Sequence, residues 1–114
     1  MTTILVTGVG AIIGYGVLKS LRSTDSSIRL IGADIYADAV GQEWVDVFEV
    51  APYTSDDQYS VWLEEVISRH TVDLVIPCIE QDLHYFSDNR TLMEGLGANV
   101  VLNSTKLIDL RLEV

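Results

Sequence analysis

The sequence predicts a three-layer α/β domain built on a mainly parallel sheet of about five strands. Short, β-branched apolar runs alternate with segments of helical period. The first run opens into the glycine-rich turn Gly8-Val9-Gly10-Ala11-Ile12-Ile13-Gly14. The chain has 114 residues, 48% hydrophobic and 21% charged, which suits one core and one domain spanning 1–114.

Thr3-Ile4-Leu5-Val6-Thr7 reads as a strand buried on both faces, because it is short, β-branched and runs straight into glycines. From Ala11 to about Arg22, Ile13, Val17 and Leu21 recur at helical spacing. Ile28 to Ala33 is a second strand closed by Asp34, and Ile35 to Trp44 reads as a loop or short helix. Val45 to Val50 is a short strand near a sheet edge, ended by Pro52. Ser55 and Gln58 have capping-box spacing, and Tyr59, Trp62, Leu63, Val66 and Ile67 continue as one helix face. Val72 to Ile76 is a strand stopping at Pro77. A helix from about Gln81 carries Leu83, Phe86, Met93 and Leu96 and ends at Gly95 or Gly97. Asn99 to Leu102 is the last strand, with Ser104 or Thr105 capping a terminal helix through Leu112. This alternation is that of a Rossmann-like domain, in which ligands collect at the carboxyl ends of the strands.

Seven Lys and Arg against 17 Asp and Glu give a formal charge of −10, which repels phosphate backbones and anionic lipid. Nucleic acid and membrane are therefore not expected partners, and no apolar run approaches the roughly 20 residues that cross a bilayer. A single cysteine, Cys78, and a start without a basic leader region lead to the expectation of a cytoplasmic protein.

Gly8, Gly10 and Gly14 lie where a strand passes into a helix, and there backbone N–H groups can receive a phosphate or carboxylate. The same glycines also serve a tight turn with close helix-to-strand packing. The spacing departs from Gly-x-Gly-x-x-Gly, since position 13 is Ile and the third glycine falls at 14. Asp34 ends the second strand about 20 residues beyond the last motif glycine, where a dinucleotide-binding fold places its ribose-binding acid. Aspartate at a strand end equally begins a turn. Glu80 and Asp82 leave the fourth strand at the same edge, as binders of a substrate ammonium or, more commonly, as acids that cap a helix and offset its dipole. Cys78 lacks a nearby base and reads as an inert buried thiol; His70 reads as a helix-end cation, and Trp44 and Trp62 as packing residues. No catalytic or metal-binding set emerges.

The ordered features Ile4-Leu5-Val6-Thr7-Gly8-Val9-Gly10, Gly32-Ala33-Asp34, Ala39-Val40-Gly41, Val45-Asp46 and Pro52 resemble the N-terminal domain that precedes the ATP-grasp fold. Asp73-Leu74-Val75-Ile76-Pro77, Glu80, Asp82-Leu83, Asn89-Arg90 and Gly97 continue the resemblance, which is to the carbamoyl-phosphate synthase large-subunit group. It implies the substrate-side, pre-ATP-grasp domain of an ATP-dependent carboxylate-amine or carboxylate-thiol ligase, not catalytic alone. ATP and magnesium would then belong to a following domain that begins about where this sequence stops. Gly8, Gly10, Ala11 and Ile12 match the turn that helps to enclose a carboxylate substrate, and homodimer contacts are a further use of such domains. Two other readings stand beside it: an NAD(P)-binding domain of the short-chain dehydrogenase type, and a small-anion-binding regulatory module. Against the dehydrogenase, Tyr15 and Lys19 alone match Tyr-x-x-x-Lys, and they lie in the first helix beside the glycines.

Overall fold

The computed structural model describes residues 2–24 and 27–101. Five strands, β1 (Thr3–Thr7), β2 (Arg29–Asp34), β3 (Val47–Val50), β4 (Leu74–Pro77) and β5 (Asn99–Val100), form one sheet. Their order is β3-β2-β1-β4-β5, and every neighbouring pair is parallel. The connections are α1 (Ile12–Thr24), a 3₁₀ turn at Val40–Trp44, α2 (Tyr59–His70), α3 (Glu80–Asp88) and α4 (Arg90–Glu94). This is the predicted Rossmann-like α/β fold. The chain builds outward from β1 through β2 to β3, then crosses over to lay β4 on the other side of β1, so the winding reverses between β1 and β4. Such a reversal opens a crevice at the carboxyl ends of the strands.

The central position of β1 explains its uninterrupted apolar run. All five of its residues are buried, with Ile4 and Val6 facing one layer and Leu5 the other. On the first face they meet Leu18 of α1, Leu30 and Val9, with Trp44 packed alongside. On the second they meet Tyr59, Leu63, Val66 and Ile67 of α2 and Phe86 of α3. The period of 2 along β1 and the period of 3.6 along α2 thus interlock into two cores, one on each side of the sheet. Trp62 lies partly buried against the second core, and Cys78 is buried in the first, as expected of packing residues and an inert thiol.

Several expectations at element ends are corrected. Ser55 does not cap α2: Gln58 occupies the N-cap position without a side-chain bond, and Asp56 Oδ1 instead accepts the Gln58 N–H at 2.8 Å. A local aspartate turn has displaced the capping box. The helix expected to run on from Gln81 begins at Glu80 and breaks at Asn89, whose Nδ2 donates to the Tyr85 carbonyl at 2.8 Å, so α3 and α4 are separate. Asparagine here competes for a helical carbonyl, which disfavours continuation. The face of α3 also differs, since Asp82 is buried beside Phe86 while Leu83 is only partly so. Met93's side chain, Leu102 and the terminal helix from Ser104 or Thr105 lie outside the described residues.

Polar clips fasten the layers at the other end of the strands. Arg22, at the end of α1, donates to the Ile28 carbonyl at 3.1 Å, to the Trp44 carbonyl at 3.0 Å and to Asp46 at 3.2 Å. Asp46 also accepts the Leu30 N–H at 2.8 Å, and chiefly that bond holds its carboxyl below the usual range. His70 does more than offset a dipole: its Nε2 lies 2.9 Å from Glu49, tying α2 to β3.

Gly14 sits so close to the Gly8 carbonyl that a Cβ would overlap it, whereas a Cβ on Gly16, one turn position along, would meet nothing within 4 Å. Gly14→Ala is therefore expected to cost about 1–3 kcal/mol by overpacking against backbone. Gly16→Ala is expected to add about 1 kcal/mol through helix propensity. Urea denaturation of both variants measures the contrast, and equal effects would contradict this packing.

Candidate functional site

The carboxyl ends of β1 and β2 carry the candidate site. Beyond Thr7 the chain turns through Gly8, whose φ of 69° is a left-handed conformation that side chains disfavour. The turn is held on three sides. The Val9 N–H donates to the Ala33 carbonyl at 3.2 Å, the Ala11 N–H to the Gly8 carbonyl at 3.0 Å, and the Gly10 N–H to Asp34 Oδ2 at 2.8 Å. Asp34 accepts a second main-chain bond through Oδ1, from the Tyr36 N–H at 3.0 Å. Both of its oxygens thus bind backbone. The sequence left Asp34 open between a ribose acid and a turn residue, and its observed bonds are those of a turn residue that clamps β2's exit to the glycine turn.

Of the other expected residues, Ala11 precedes α1 and Ile12 opens it, so both contribute backbone to the turn. Glu80 opens α3, is exposed, and sits 3.4 Å from His84. It does not line the cavity described below. Asp82, two residues on, is only 7% exposed, and Ile79 at the N-cap leaves α3 without a side-chain cap bond. Neither acid caps α3, while both lie in its first turn, the place the dipole alternative gave them. Tyr15 and Lys19 are likewise accounted for: the Lys19 ammonium lies 5.6 Å from the Tyr15 ring centre and 5.9 Å from that of Trp44, a cation-π cluster on α1.

A cavity of about 240 Å³ lies at this edge, bounded by Thr7, Gly8 and Asp34, the loop Ala51–Ser55, Tyr59, and Ile79 and Asp82 at the start of α3. Sequence reasoning missed Thr7. Its signal was a hydroxyl at the last position of the buried central strand, where the glycine turn begins. Thr7 is 3% exposed; its Oγ1 makes no direct bond of standard geometry among the described residues, yet it lies close enough to Asp82 to act on that carboxyl as a hydrogen-bond donor. Burial raises the Asp82 carboxyl above its ordinary value; the nearby Thr7 hydroxyl works against that rise and the Asp34 carboxyl adds to it. Burial likewise raises the Tyr59 phenol, with Asp82 adding to the effect. No group of three or more His, Cys, Asp or Glu among the described residues is arranged to hold a metal ion. No described helix is long and apolar enough to cross a membrane.

No family model matches this sequence, and no curated protein does. Solved structures do. One is described as glycinamide-RNase-transformylase T from Mycobacterium tuberculosis, with TM-score 0.66 and 18% identity over 89% of this chain and 28% of that one. A short chain dehydrogenase/reductase from Saccharomyces cerevisiae aligns with TM-score 0.58 and 16% identity, over 88% of this chain and 52% of its own. The dTDP-glucose 4,6-dehydratase of Bacillus anthracis, in complex with NAD, aligns with TM-score 0.56 and 16% identity, over 99% of this chain and 34% of its own. At these identities the shared feature is the Rossmann-like fold. The chain spans from under a third to about half of the length of these proteins.

The clamp and the buried acid each yield a measurable consequence. Asp34→Ala leaves the Gly10 and Tyr36 N–H groups without their acceptor, for an expected loss of about 1–3 kcal/mol in urea denaturation. Faster amide exchange at Gly10 and Tyr36 should accompany it. For Asp82, a raised folded-state value means that the native protein holds the proton more tightly than the unfolded chain. Its contribution is then greatest at low pH and is lost as pH rises from about 4 through the folded-state value. Asp82→Asn should therefore gain Tm relative to the wild type between pH 4 and pH 7. A constant difference would refute this assignment.

Proposed function

We propose that this domain is the substrate-side domain of an ATP-dependent carboxylate-amine or carboxylate-thiol ligase of the ATP-grasp type, similar to the carbamoyl-phosphate synthase large subunit. The observation that carries this reading is the form of the edge. It has a glycine turn clamped by Asp34 beside a small cavity, with no nucleophile-base pair, no metal-binding cluster among the described residues and no cation lining the cavity. Such an edge binds and orients a small polar molecule and leaves bond-making to groups outside it. The order of sequence features from Ile4 to Gly97 supports the same reading.

The implied ATP and magnesium do not fit the described residues. A magnesium site needs carboxylates together with phosphate oxygens, and a triphosphate needs cations, whereas this edge offers Asp34 and Asp82 without Lys or Arg. The reading therefore assigns nucleotide and metal to the rest of the ligase. Here the chain's own residues hold the substrate. In this reading the turn borders the substrate, and the loop Ala51–Ser55 and Tyr59 line the same cavity.

The second reading is an NAD(P)-binding domain, favoured by the position of Asp34 at the end of β2 and by the likeness to dehydrogenase folds. Both Asp34 oxygens are already held by backbone N–H groups, and the cavity is small for a dinucleotide, so we place it second. Thermal unfolding with NAD, NADP, ATP-magnesium and a panel of small carboxylates separates them. A ligand of the native state at 100 times its Kd adds about 2.7 kcal/mol, or about 10 °C in Tm for a domain of this size. The ligase reading expects a rise with a carboxylate and none with NAD or NADP. A rise with NAD or NADP alone would remove it.

A further inference from the structure

Two carboxyl groups and one hydroxyl converge on the edge cavity without a cation to balance them. Asp34 and Asp82 are 9% and 7% exposed, and neither forms an ion pair among the described residues. Asp34 comes from the end of β2, Asp82 from the first turn of α3, and Thr7 from the end of β1, so the three approach from separate elements. Asp34 is compensated by the Gly10 and Tyr36 N–H groups, whereas Asp82 is buried with only the Thr7 hydroxyl to offset the cost of its burial among the described residues. A helix start that tolerates acids explains Asp82's sign of charge, but it does not explain its burial or the buried Thr7 hydroxyl beside it.

We infer that this cavity is a subsite for the primary ammonium group of a small substrate, received by Asp82 and Thr7, with the backbone-bound Asp34 carboxylate adding negative charge beside them. A primary ammonium carries one positive charge and three donors pointing in different directions, so it can meet acceptors on two elements, Asp82 of α3 and Thr7 of β1, at once. A hard divalent cation fits less well, since it requires six or more oxygen ligands and the described residues form no metal-binding group. The cavity volume of about 240 Å³ lies below the range of drug-sized sites, so the occupant is of amino-acid size. Gly8 borders the same cavity, so a carboxylate on the same molecule would reach the glycine turn while its ammonium lies between the acids. The inference rests on reading this edge as the substrate side of a ligase, and it narrows that substrate to one bearing an amine.

The test is an amide-shift titration of the 114-residue chain by NMR at pH 7 and constant ionic strength. The probes are n-propylammonium, tetramethylammonium, propionate and ethylene glycol. Propylammonium is expected to shift Thr7, Asp34 and Asp82 saturably, and tetramethylammonium, a cation without N–H groups, to leave them in place. Thr7→Val and Asp82→Asn should each weaken propylammonium binding at least 10-fold, with the remaining spectrum unchanged. Thr7→Val preserves shape and serves alone if Asp82→Asn does not fold. Equal shifts from both cations, shifts from ethylene glycol in place of propylammonium, or no response to propylammonium overturn the ammonium subsite. Propionate distinguishes the two levels of inference. A response confined to the glycine turn, with none to propylammonium, keeps the ligase reading and removes the ammonium; propylammonium binding without any propionate response does the reverse.

Discussion

The approach of α1 onto the end of β1 is the constraint from which the edge follows. The helix begins so close to the strand that Gly14 lies against the Gly8 carbonyl, with no room between them for a Cβ. That contact forces the reversal at Gly8 with its positive φ, and the reversal in turn presents the Gly10 N–H toward β2. Asp34 meets it there and accepts Tyr36 with its other oxygen, so one carboxylate joins the exits of two neighbouring strands. Charge-assisted bonds of this kind are stronger than neutral ones, which fits a turn held without any other side chain. The mouth of the cavity inherits its shape from that chain of contacts.

The acidic edge is a separate choice, made against the interest of stability. Asp82 occupies a position on the buried face of α3, one before Leu83, and burial raises its carboxyl. Thr7 similarly occupies a buried position at the end of a strand whose other inward positions are Leu5 and Thr3. Packing alone would be better served by aliphatic side chains at both places. Departures from local rules that bring no packing gain concentrate where a protein binds something. Acids elsewhere on the sheet show the contrast: Asp46, ahead of β3, is matched by Arg22 and by the Leu30 N–H, and Glu49 in β3 by His70 and Arg69.

The strands were legible because burial on both faces writes continuous β-branched runs, as in β1, and because the turn glycines mark where the first one ends. α2 was legible from its period. Its start was not, since Ser55 and Gln58 satisfy a spacing rule that says nothing about Asp56, whose turn takes the Gln58 N–H first. The break at Asn89 was hidden for a related reason: a single side chain competing for the Tyr85 carbonyl leaves the hydrophobic period unchanged. At the site, Asp34 was found by position but with its role undecided, because a strand-end aspartate has the same sequence signature whether it meets a ribose or the next turn. Glu80 and Asp82 were found together, yet which of them turns inward depends on how α3 sits on the sheet. Thr7 went unremarked because a β-branched residue at a strand end looks like ordinary strand.

Fold likeness spreads this edge over proteins of different chemistry, and the residues at the edge have to decide among them. A dinucleotide site needs an acid whose oxygens face a ribose and a turn whose N–H groups face a pyrophosphate. Here the Val9, Gly10 and Ala11 N–H groups and both Asp34 oxygens are engaged within the protein, so the parts are present but turned toward one another. What remains directed into the cavity is Thr7 and Asp82. Those two groups accept hydrogen bonds and favour positive charge, and they lie next to the glycine turn. An edge of that kind favours a small molecule that brings donors and positive charge, which is the role proposed for it above.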